Sequence, residues 1–190
     1  MKKVNSTRII HGDEITWDDS TWILTSSFII FTMQTGFSLL GSGSVRRKNH
    51  VSIVLKNCCD PLFTGIAFWS LGYGLSMTTD EDYTNPFIGW GEFMVDSTSV
   101  TMGQLFASYT YRLSLASIAT TIVLGAMAER ITFKAYSFFC FFITIMFSIP
   151  CYWIWSPNGF LRQMSAVDIA GCSTVHLVGG NYHIIKIVIK

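Results

Sequence analysis

Two stretches of this chain, Ser20 to Leu40 and Ala135 to Trp155, run for about 20 residues each without a charged side chain, the length at which an α-helix crosses the ~30 Å hydrocarbon core of a bilayer. Pro61 to Met77 is shorter and equally free of charge. Ser99 to Met127 holds one charge, Arg112, while Ile169 to Ile185 holds none but carries His176 and His183. These runs predict an all-α membrane protein with about five transmembrane helices, near 20–40, 61–77, 99–127, 135–155 and 169–185. In this reading 1–19 is an outward N-terminal tail, 20–185 a membrane domain and 181–190 a divergent tail.

Composition agrees. The chain is 50% hydrophobic and 13% charged, against roughly 25% charged in soluble domains. A net charge of +1 supplies no field for nucleic acid. MKKVNSTRII lacks an apolar run after its lysines, so no cleavable signal peptide is expected. The five cysteines, Cys58, Cys59, Cys140, Cys151 and Cys172, form no CxxC and no spaced framework and read as small apolar filler.

Charge in the intervals sets the expected orientation. Residues 41–60 carry Arg46, Arg47, Lys48 and Lys56, whereas 78–98 carry Asp80, Glu81, Asp82, Glu92 and Asp96 without a cation. Positive loops stay in the cytosol, so 41–60 and the turn with Glu129, Arg130 and Lys134 face inward, and the N-terminus faces outward. Asn5-Ser6-Thr7 on that tail fits a glycosylation acceptor. Trp17, Trp22, Tyr152, Trp153 and Trp155 stand where interfacial aromatic belts form. Gly65, Gly72, Gly74, Gly103 and Gly125 read as close-packing positions between helices.

Several strings resemble the ammonium transporter family (Amt/Mep/Rh). They are MQTGFSLLGSGSVRRKN from Met33, LKNCCDPLFTGIAFWSLGYGLS from Leu55, TTIVLGAMAERITFKAY from Thr120, WIWSPNGFL from Trp153 and DIAGCSTVHLVGG from Asp168. Together they cover roughly 15–180 in family order. The resemblance implies one five-helix half of an inverted-repeat fold, ammonium or ammonia as substrate, the lipid bilayer as surroundings, and a homotrimer when complete. It implies no cofactor and no metal. A chain that stops after one repeat is expected to be truncated, and NYHIIKIVIK from Asn181 no longer resembles the family.

The resemblance also assigns site residues. Trp155 falls on the family's recruitment tryptophan, where a ring face offers a cation–π contact; position alone reads it as a belt residue, and the WSPNG string that follows the family is what favours the site. His176 falls on the first of the twin pore histidines, and an ionisable side chain in a span is functional by default. A histidine that only packs a helix is the alternative. Asp168 matches the acidic residue that opens the fifth helix, as N-cap and as a source of negative potential. Leu115 occupies the outer gate, where the family usually has phenylalanine, with Tyr111 one turn away.

Arg112, 17 steps of ~1.5 Å from Glu129, is expected near the outer interface, in the vestibule or reaching headgroups, where its charge opposes ammonium. An ammonium channel or carrier is therefore the expected function, with a non-conducting membrane subunit as the alternative. An intramembrane enzyme using Asp168, His176 and His183 lacks a second carboxylate or a metal-ligand spacing.

Overall fold

The computed structural model describes residues 16–78, 85–96 and 102–181. Asn5 and His183 lie outside them. All regular structure among the described residues is helical.

Helix α1, Trp17–Ser44, opens with a capping box in which Thr16 and Asp19 exchange side-chain and backbone bonds, satisfying N–H groups that the first turn leaves free. A 3₁₀ turn, Arg47–Asn49, leads into α2, His50–Ala67, which continues through a π-helical turn, Phe68–Gly72, into α3, Tyr73–Ser76. Next come α4, Met102–Met127, α5, Phe133–Trp155, and the short α6, Phe160–Gln163. A second π-helical turn, Cys172–His176, runs into helical residues 177–181. Helix α4 packs against α1, α2 and α5, and α5 against α2. Among the described residues, Trp17–Ser44, Arg47–Ser76 and Phe133–Gln163 are long and apolar enough to cross a membrane. The 26 residues of α4 give it a comparable length of about 39 Å.

The second span differs from expectation. It starts at His50 rather than Pro61, and Pro61 lies inside it. Lys56, expected in a cytosolic loop, is 2% exposed. Its ammonium donates to the carbonyls of Ile131 (2.7 Å) and Ala128 (3.4 Å), just beyond the C-terminus of α4, where a cation also meets the negative end of the helix dipole. Counting uncharged residues shortens a helix whose charges find partners inside the protein.

Two ends of the bundle are tied differently. At one end Glu129 accepts from the Arg46 backbone N–H (2.9 Å) and from Asn49 Nδ2 (3.0 Å), and pairs with Arg46 Nη2 at 3.0 Å. This joins the α1–α2 connection to the α4–α5 turn. At the other end residues 85–96 strap across the helix tips: Gly91 N–H donates to the Gly74 carbonyl (2.8 Å), Trp69 Nε1 to Val95 (3.1 Å), and the Tyr152 hydroxyl to Asn85 (2.7 Å). A Cβ on Gly91 would strike the Met77 carbonyl, so glycine permits this approach.

The expected role of the span glycines is corrected in part. Gly72 and Gly74 are packed against Phe68 and Phe93, but a Cβ at Gly65, Gly103 or Gly125 meets nothing within 4 Å. Trp17 and Trp22 are exposed, 88% and 74%.

Candidate functional site

Leu115, one turn beyond Arg112 on α4, is 8% exposed and packs in one cluster with Phe147, Cys151 and Val175, against which Trp155 lies. Cys151 and Trp155 are one helical turn apart on α5 and share a face. The indole of Trp155 meets Phe147 edge to face, with centroids 6.4 Å apart. The structure thus brings Leu115 and Trp155 together, with an aliphatic side chain where the resemblance leads one to expect an aromatic gate. Tyr111 is 37% exposed.

Arg112 meets α5. Its Nη1 lies 3.8 Å from Cys151 Sγ, so the side chain is folded between α4 and α5, beside the Leu115–Trp155 cluster.

Asp168 acts as a cap. One carboxylate oxygen accepts from the Cys172 N–H (2.9 Å), the other from the Thr174 N–H (3.3 Å) and hydroxyl (3.2 Å). Partial burial raises its pKa, but hydrogen bonds from Ser173 and Thr174 outweigh that and hold it below the ordinary carboxylate value. Gly171 between them has φ +72°, a left-handed conformation that favours glycine, and it lies within ordinary van der Waals reach of the Trp155 ring, which would be 3.5 Å from a Cβ there. The turn after Asp168 is therefore seated against the tryptophan.

His176 ends the π-helical turn that begins at Cys172, closed by the Leu177 N–H on the Cys172 carbonyl. Such turns re-aim side chains and recur at functional sites. Val175 is 1% exposed and holds the turn to the core, while His176 and Leu177 are exposed. The imidazole thus stands on an open face of the bundle.

One constellation escaped the sequence reading. Asp60, fully buried, accepts from the hydroxyls of Thr121 (2.6 Å) and Thr120 (2.8 Å) and from the Cys140 thiol (3.2 Å). Thr121 Oγ1 also lies 2.6 Å from Gln34 of α1. A hydroxyl has one proton, so Thr121 gives it to Asp60 or to Gln34 Oε1 at any one time, while Gln34 Nε2 donates to Ser117 Oγ at 2.5 Å. Cys140 is thus a donor rather than mere filler. The signal was present as a period: Lys56, Asn57, Asp60 and Thr64 recur at helical spacing and are all buried, a polar stripe facing inward.

The sequence matches the Ammonium Transporter Family over residues 21–189. The chain belongs to the ammonium transporter family. Among its relatives, Putative ammonium transporter 3 of Caenorhabditis elegans is 43% identical over 176 residues, covering 88% of this chain and 26% of that protein. Ammonium transporter 3 of Dictyostelium discoideum is 36% identical over 164 residues, covering 85% and 36%. A solved structure described as a sensor Amt protein superposes with TM-score 0.76 at 29% identity, over 85% of this chain and 41% of that one. Saccharomyces cerevisiae Mep2 shares the fold, with TM-score 0.74 at 24% identity over 87% and 38%. The chain spans about a quarter to a third of the length of the curated relatives it matches. The helical bundle is accordingly a part of the ammonium transporter fold, and the chain is an all-α membrane protein.

Proposed function

We propose that this ammonium transporter family member supplies one wall of a pathway for ammonium or ammonia. In this reading Trp155 and Leu115 form the outer recruitment site, Asp168 holds the turn beneath it, and His176 lines the pore. The carrying observation is the placement of His176 on an open face, on the turn that Asp168 caps and Val175 anchors. A neutral imidazole there can accept or donate a proton at either nitrogen. The chain would sit in the plasma membrane with its N-terminus outside and work as a homotrimer; the cationic 46–48 loop at the inner end supports that orientation.

The same exposure favours a second reading, a membrane subunit that does not transport by itself. A pore needs a facing wall, and His176 has none among the described residues. Growth on low ammonium of cells lacking their own ammonium transporters separates the two. Rescue by this chain that is lost with His176→Ala supports the pathway; no rescue, with membrane insertion verified, supports the non-conducting subunit.

A further inference from the structure

We propose that Arg112, with the side chains around it between α4 and α5, binds a small monovalent anion such as a halide. The inference stands apart from the transport reading, because it concerns a guanidinium and needs no pathway. It starts from the hydrogen bond that Arg112 makes. Its Nη1 donates to Cys151 Sγ across 3.8 Å, and a thiol is a weak acceptor for one of the five N–H donors that an arginine carries. Among the described residues Arg112 has no ion pair and no second acceptor.

The surroundings leave this charge unbalanced. Arg112 is half-buried, and the Cys151 it meets belongs to a hydrophobic cluster with Leu115, Phe147 and Val175. Asp168 is committed to the Cys172 and Thr174 N–H groups, and neither it nor Glu92 of the 85–96 strap forms an ion pair with Arg112. A guanidinium partly withdrawn from water is costly while its donors lack acceptors. An anion seated on the free N–H groups would balance it through charge-assisted hydrogen bonds.

The same burial chooses the anion. An ion that reaches Arg112 beside an apolar cluster sheds part of its water, and guanidinium is itself weakly hydrated. That combination suits a singly charged, weakly hydrated ion. Sulfate would lose more hydration than one guanidinium returns. Trp155 packs against the same cluster, one helical turn from Cys151 on a shared face, which makes its fluorescence a local reporter.

Equilibrium dialysis of the full chain in neutral detergent against radioactive iodide tests this, with chloride and sulfate as competitors at constant ionic strength. Saturable iodide binding is expected, displaced by chloride and at least ~10-fold less well by sulfate, a readout that needs no variant. Arg112→Gln should weaken iodide at least ~10-fold, because the charge it removes acts outside bulk water. Arg112→Lys should retain it within about threefold, since a spherical ion needs a charge rather than a planar fork. Iodide also quenches indoles, so the fluorescence assigned to Trp155 by difference from Trp155→Phe should fall along the same saturation curve. Uptake that does not saturate, saturable uptake unchanged in Arg112→Gln, or saturable uptake that leaves Trp155 unquenched overturns the proposal. Displacement by sulfate as readily as by chloride also overturns it, in favour of a polyanion site.

Discussion

The Thr121 hydroxyl donates to the Asp60 carboxylate across 2.6 Å in the interior of the bundle, between residues 61 positions apart. With Thr120 and Cys140 on the same carboxylate and Gln34 against Thr121, this bond makes one polar junction of α1, α2, α4 and α5. Buried polar groups in an apolar bundle are costly when left unmatched and specific when fully matched.

Removing the acceptor should therefore be worse than replacing it. Asp60→Ala removes the acceptor that ties Thr120, Thr121 and Cys140 to α2; the two hydroxyls keep the Ser117 carbonyl at 2.8 Å, so the expected destabilisation is roughly 1–3 kcal/mol. Asp60→Asn keeps the shape and one acceptor and should cost less. Thermal unfolding in detergent, followed by helical circular dichroism, compares them; equal loss from both variants would show that the carboxyl acceptor is not what matters.

The Glu129 latch makes a pH prediction. Hydrogen bonds from the Arg46 side chain, the Arg46 backbone N–H and Asn49 depress its pKa from 4.5 to about 2. A depressed carboxylate stabilises the folded form above its unfolded value, and that contribution disappears as pH falls from about 4.5 through about 2. The Arg46 amide, which donates to Glu129 at 2.9 Å, should lose hydrogen-exchange protection over this window, after correction for intrinsic rates. In Glu129→Gln the protection should be weaker at neutral pH and show no such step.

Glycines divide into two classes. At Gly72 a Cβ would come within 2.6 Å of the Phe68 ring and 3.0 Å of Ser148 Oγ, so Gly72→Ala should destabilise by about 1–3 kcal/mol through overpacking. At Gly125 nothing lies within 4 Å, and Gly125→Ala should be neutral or stabilising by up to ~1 kcal/mol from helix propensity. Side-by-side unfolding curves decide the matter.

Asp168 should prove to be a positioning residue. Asp168→Ala removes the acceptor for the Cys172 and Thr174 N–H groups and is expected to cost about 0.5–2 kcal/mol, as cap losses do, while Asp168→Asn retains an acceptor and most of the stability. The Trp155 ring sits on the glycine of the same turn, so its fluorescence, read as the difference from Trp155→Phe, should shift more in the alanine variant than in the asparagine one.

Residue order alone determined the membrane class, most helix positions and the family. Charge-free runs of spanning length have few other solutions, and the family strings around Glu129, Trp155 and His176 survive as strings. Tertiary structure decided where charge goes. Nothing local distinguishes Lys56 in a loop from Lys56 on carbonyls beyond α4, or Arg112 among headgroups from Arg112 against Cys151. Asp60 joins four helices only because Thr120, Thr121 and Cys140, 60, 61 and 80 residues away, arrive at the same point. A single helix shows which side chains share a face; the partners that make a buried charge tolerable belong to other helices, and only their packing supplies them.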